Sequence, residues 1–226
     1  MSDPQRVRKS VVIDPADETR IIQALERLGS SGDFAGLRTR AFVYLLWDGA
    51  LRTKAAVWLN AEELVKDSSA SRVHVVKQAV QRPCEGNQYR EREFLLSERA
   101  RDAIADYLKV ARSENWLANG GRLEGPAWIS THHRGTQQRM SQRMAMQAWR
   151  SFLDDVKVSR EYQLDDVVLI GRIALLQAAK GSTDVIAEHA GISSKSAGHY
   201  REHLLSSPSS TARDALSRID KQRKQG

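Results

Sequence analysis

The chain has 226 residues, 41% of them hydrophobic, with a net charge of +7 and one cysteine, Cys84. That length allows one large domain or two small ones with a proper core, while a lone cysteine excludes an internal disulfide and a cysteine-rich metal site and fits a reducing cytoplasm. No apolar run is long enough to cross a bilayer and the start, "MSDPQRVRKS", lacks the apolar segment of a secretory signal, so a cytoplasmic protein without a membrane partner is expected, its positive charge favouring nucleic acid as the anionic partner.

In chain order, "VVIDPADETRIIQALERL" predicts a helix with Asp14 as N-cap and Pro15 at the first helical position, its apolar face built by Ile21, Ile22, Leu25 and Leu28. "GSSGDF" is a turn or loop, and "LRTRAFVYLLWDGAL" a second helix, buried on one side and stopping near Gly49. After "AEELV" the texture becomes β-branched and alternating: "SRVHVVKQAV", a turn in "RPCEGNQ", then "YREREFLLS", which together predict a hairpin. "ERARDAIADYLKVAR" returns to helical period with Ile104, Tyr107, Leu108 and Ala111 on one face. "NGGRLEGP" is a loop, and from Ser141 onward nearly everything reads as helix, followed by a basic tail. Helices, a small antiparallel sheet, then helices make one α+β domain, mainly helical.

This order resembles the catalytic domain of the tyrosine recombinases, the phage-integrase family. "RTRAFVYLLWDGALRTKAAVWLNAEELV" is similar to that family's first box, an apolar helix and a Gly-x-x-Arg turn before a second helix and a short acidic stretch. The resemblance implies that Arg52 lies on the scissile phosphate and that Lys77, in "VHVVK", is the hairpin lysine held near the cleavage site. "WISTHHRGTQQRMSQRMAMQAW" resembles the linker and helix before the second box, and "GSTDVIAEHAGISSKSAGHYREHL" the closing segment, which ends in the nucleophilic tyrosine, here Tyr200. On this reading residues 1–34 are an N-terminal helix and linker, 35–205 the integrase-like domain and 206–226 a basic tail, whose family counterpart docks on a neighbouring protomer; a homo-oligomer through the tail is therefore expected. The family's separate N-terminal DNA-binding domain has no counterpart in the few dozen residues before the first box. No cofactor or metal is implied.

Several family residues are replaced. The second box, His-x-x-Arg, aligns with "DDVV", placing Asp165 and Val168 at those positions, and Ile192 stands where the last box has its histidine. In the family the arginines and histidines stabilise charge on the non-bridging oxygens while tyrosine attacks. Each such donor removed typically costs roughly a hundred- to a thousandfold, so three losses, even strongly non-additive, imply a deficit on the order of ten-thousandfold. Arg172, four residues after Val168 and one helical turn along, is a candidate to replace the missing arginine through a shifted backbone. The resemblance with these departures implies a DNA-binding protein of recombination or mobile-element biology whose cleavage chemistry is impaired or lost.

Other readings stand beside it. One is a recombinase that still cleaves through Tyr200. A second is a helix-turn-helix regulator, because "DVIAEHAGISSKSAGHYREHL" places Gly191 in a turn and offers Ser194, Lys195, Ser196, His199 and Arg201 from a recognition helix. A third is a basic protein–protein module. The cations Arg134, Arg139 and Arg143 form a basic cluster, with Arg139 and Arg143 one helical turn apart, expected to contact the DNA backbone or to form a solvated face. The plainer role of Arg52 is an ion pair with Asp48, Glu62 or Glu63. Trp47, Trp58, Trp128 and Trp149 are expected as core or interface anchors, and His132 and His133 as loop residues, without ligands at metal spacing.

Overall fold

A computed structural model of the chain describes residues 13–65, 72–81, 87–113, 118–119, 122–123, 125–130, 138–178, 183–184 and 198. Helix α1, Pro15–Ser31, begins where the sequence signals it: the Asp14 carboxylate accepts from the Ala16 N–H at 2.8 Å, and Gly32 ends the helix in the left-handed region at φ 66°. Capping of this kind satisfies amides that the first turn leaves without helical partners. Ile21 and Leu25 are buried, and Ile22 and Leu28 pack at the margin of the same core.

Helix α2, Phe34–Gly49, is the centre of the molecule. The expected one-sided burial is corrected here: every residue from Ala41 to Trp47 is buried, as are Leu37, Arg38 and Arg40. Neighbours cover it on several sides, because α1, the helix α5 (Glu98–Ser113), α6 (Gln142–Val156) and α7 (Leu164–Ala178) all touch it. A helix so enclosed must satisfy its own cations. Arg40 does so through Asp106 at 2.9 Å and Glu26 at 3.1 Å, while Arg38 donates to the Ile129 carbonyl and burial pushes its guanidinium below the ordinary value.

Helix α5 buries the face that its period marks out, Ile104, Tyr107, Leu108 and Ala111. Burying each large side chain of that face contributes about 2 kcal/mol. Tyr107 stacks on Trp128 with centroids 5.5 Å apart, and Trp128 meets the Phe42 ring edge-on at 5.1 Å. The polar ends are also paired: the Tyr107 hydroxyl donates to the Ala127 carbonyl at 3.0 Å and accepts from the Ile129 N–H at 3.2 Å. Trp128 Nε1 donates to the Ala56 carbonyl at 2.7 Å.

Two short helices, α3 (Thr53–Val57) and α4 (Ala61–Val65), follow α2, and the expected hairpin is present as β1 (Arg72–Gln81) paired antiparallel with β2 (Asn87–Leu95). The expected loop "NGGRLEGP" contains a short antiparallel pair that its glycines conceal in the sequence, β3 (Ala118–Asn119) with β4 (Arg122–Leu123). Ser141 caps α6 by accepting from the Met144 N–H at 3.2 Å. The chain is thus mainly helical with small antiparallel pairs, and no described helix is long and apolar enough to cross a membrane.

Helix α7 lies so near the end of α2 that a Cβ on Gly171 would stand 1.9 Å from the Trp47 carbonyl oxygen. Gly171→Ala should therefore force the helices apart and lower the unfolding free energy by about 3 kcal/mol, read as a reduced denaturant midpoint at unchanged slope. Tyr107 gives a second expectation. Burial raises its hydroxyl from 10.0 to about 12, so the folded chain holds that proton more tightly than the unfolded chain. Its contribution to stability is fully present below pH 10.0 and is lost as pH rises toward 12, a decline that Tyr107→Phe should reduce in alkaline unfolding curves.

Candidate nucleic-acid interface

The turn that presents Arg52 is built by the residues before it. Helix α2 ends at Gly49, and Ala50 adopts the left-handed region at φ 48°, ψ 28°. For a residue with a Cβ this costs about 1 kcal/mol and persists only where the surroundings demand it. Here the reversal seats Ala50 and Leu51 in the interior, both at 0% exposure, and turns the next residue out. Arg52 is exposed, with extended backbone at φ −63°, ψ 138°, at the N-cap of α3. Its side chain caps nothing, and among the described residues its guanidinium has no hydrogen-bond or ion-pair partner. Asp48, one candidate partner from the sequence, instead accepts from the Ser97 N–H at 2.6 Å.

The adjacent Thr53 is buried and donates from Oγ1 to Asp165 Oδ1 at 3.0 Å, joining the head of α3 to the first turn of α7. The two segments compared with the family's first and second boxes thus meet, although 112 residues separate the bonded pair. Asp165 is exposed, whereas Val168 is 2% exposed and belongs to the core. Arg172 lies on α7 one turn beyond Val168. Nothing in the sequence marked Thr53 as the joining residue, because a threonine after an arginine has no local signature.

On the hairpin, Lys77 sits where the register shifts. Val75 pairs with Arg92 and Gln78 with Arg90, so Val76 and Lys77 together oppose Glu91. Such a bulge bends a strand and re-aims its side chains, a device over-represented beside functional sites.

Arg139 has a different environment from the solvated or DNA-facing one expected. Its Nη1 donates to the Val57 carbonyl at 3.0 Å and the Leu59 carbonyl at 2.7 Å, and Nη2 donates to Asn60 Oδ1 at 2.6 Å. The guanidinium also lies over the Trp58 ring, 5.1 Å from its centroid. It therefore clamps the end of α3, where the terminal carbonyls have no helical partners. Arg143, in the first turn of α6, is exposed. Three of the four tryptophans considered are core anchors as expected, but Trp58 is 65% exposed. Arg134, His132, His133, Ile192, Ser194, Lys195, Ser196, His199, Tyr200, Arg201 and the tail 206–226 lie outside the described residues. Among the described residues no group of His, Cys, Asp and Glu is arranged to hold a metal ion.

No protein-family model matches the sequence, and no curated protein resembles it closely enough to register as a relative. Solved structures do resemble it. The XerH site-specific recombinase, in a post-cleavage complex with its palindromic difH substrate, superposes with a TM-score of 0.62 at 10% identity, covering 88% of this chain and 52% of that one. The XerA recombinase superposes at 0.60 with 15% identity, over 99% of this chain and 69% of that one. The Tn1549 transposon integrase, bound to transposon right end DNA, gives 0.61 at 11% identity, over 86% and 62%. The chain spans about half the length of the XerH chain. Its fold is that of the integrase catalytic domain.

The Arg139 clamp carries its own expectation. Arg139→Ala removes three hydrogen bonds, each donated by a charged group, to acceptors that water can only partly satisfy. It should lower the unfolding free energy by about 2 kcal/mol in urea titration.

Proposed function

We propose that this chain binds double-stranded DNA through the face that carries Arg52, as a recombinase-fold protein with impaired strand-cleavage chemistry acting in DNA recombination or mobile-element biology. The observation that carries the reading is the state of Arg52: exposed at the head of α3, partnerless among the described residues, and next in the chain to Thr53, which is bonded to the first turn of α7. A guanidinium presented in this way suits bidentate contact with a phosphate. Lys77 at the hairpin bulge and exposed Arg143 are further backbone contacts in this proposal, with Arg134, Ser194, Lys195, His199 and Arg201 from segments outside the described residues. Arg139 supports the site by fixing the end of α3. The net charge of +7 and the DNA present in the XerH and Tn1549 structures support the same partner.

Impairment follows from what occupies the second-box positions. An exposed Asp165 carboxylate stands where the family has an imidazole, and its negative charge opposes that of a phosphate. Val168, turned into the core, offers no donor. Without those donors the charge that develops in phosphoryl transfer lacks its preorganised stabilisers, whatever Tyr200 contributes as nucleophile. We further propose a cytoplasmic protein that assembles with copies of itself through residues 206–226.

The test combines binding and trapping. Duplex affinity should fall steeply and linearly with the logarithm of salt concentration, and Arg52→Ala should weaken binding and reduce that slope by about one. Asp165→Asn should strengthen binding about threefold, the scale of one exposed charge–charge interaction. A suicide duplex should give no covalent adduct above the Tyr200→Phe background. An adduct lost in Tyr200→Phe would establish instead an active recombinase using Arg52, Lys77 and Arg172. Operator-specific binding indifferent to Arg52 and Lys77 would favour the helix-turn-helix regulator.

A further inference from the structure

Among the residues whose side-chain burial the structure describes, Trp58 is the one large apolar side chain left in solvent, at 65% exposure. It closes α3 four residues after Lys54, so both share the helix face opposite buried Thr53, Ala56 and Val57. Lys54 is exposed as well. The indole is not loose: the Arg139 guanidinium lies over it at 5.1 Å, itself anchored to the carbonyls of Val57 and Leu59 and the side chain of Asn60. The result is a fixed aromatic plate backed by a cation. Glu63, the acid that follows soonest among the described side chains, is turned back to accept from the Asn60 N–H at 2.6 Å.

We propose that Trp58 contacts the same duplex as Arg52, its indole packing on the sugar and base edge while exposed Lys54 favours a flanking phosphate. The inference rests on the DNA-binding reading above. Charge complementarity selects this occupant. The face presents one aromatic with Lys54 on a helix headed by an arginine that has no partner among the described residues, a combination that suits a polyanion whose backbone alternates phosphate with apolar sugar. A ring already packed against Arg139 loses less freedom on binding than an unsupported one, so its burial against the duplex adds affinity.

Apolar and ionic contacts differ in salt dependence, and this separates the two proposals. The full chain is titrated with a fluorescently labelled duplex at several salt concentrations, together with Trp58→Ala, Trp58→Phe and Arg52→Ala. Trp58→Ala should weaken binding about tenfold without changing the salt slope, since an indole displaces no counterions. Trp58→Phe, which keeps a ring over Arg139, should stay within about threefold of the parent. Failure of the parent chain to bind duplex would overturn the DNA reading itself. If the parent binds and Trp58→Ala binds equally well, only the present inference falls. Loss of slope together with affinity would also overturn it, by reducing Trp58 to a support for the neighbouring cations. The same holds if sedimentation shows that Trp58→Ala abolishes self-association at unchanged duplex affinity, for the face would then belong to a second copy of the chain.

Discussion

The close approach of α7 to the end of α2 governs the rest of the structure. Only a residue without a side chain tolerates the Trp47 carbonyl at the distance Gly171 meets it. Because α7 is rigid, that contact sets the position of its first turn, about two helical turns earlier. There Asp165 meets Thr53, and the Thr53 hydroxyl in turn locates the residue before it, Arg52. A packing constraint inside the core thus sets where a charge stands on the surface. It acts through two helices and one hydrogen bond.

The central helix imposes a second requirement. Enclosing α2 buries Arg38 and Arg40, which would be prohibitive without acceptors, and the structure supplies them from α1, α5 and the segment at Ile129. Tyr44 belongs to the same arrangement, donating to Glu26, and its hydroxyl is held above the ordinary value chiefly by burial. These cations specify how the helices dock rather than what the protein binds. Arg139 extends the principle to α3, where cation and aromatic together close the end of a five-residue helix too short to be stable alone.

A division of labour among the basic residues follows. The chain has 35 lysines and arginines, and their count alone cannot separate those that hold the fold from those that face a partner. Arg38, Arg40 and Arg139 donate inward, whereas Arg52, Lys54 and Arg143 are exposed. An arginine inside an apolar helix is therefore as readily a core element as a ligand contact, and only its acceptors reveal which.

What could be read from the amino-acid sequence was local. Asp14 and Pro15 start α1 because a cap and a fixed φ act within a few residues, and the period of Ile104, Tyr107, Leu108 and Ala111 marks the buried face of α5 for the same reason. The β1–β2 hairpin was legible on similar grounds, from alternation and turn residues, whereas the integrase-type order of elements and the turn that carries Arg52 were legible through the family resemblance. What belonged to tertiary structure was direction. Burial of α2 on every side, the inward aim of Arg139, the exposure of Trp58 and the bond between Thr53 and Asp165 depend on partners 80 or more residues away or on which neighbours happen to cover a face. Periodicity carries no information about such partners, because the energy that selects them arises only when separate elements pack together.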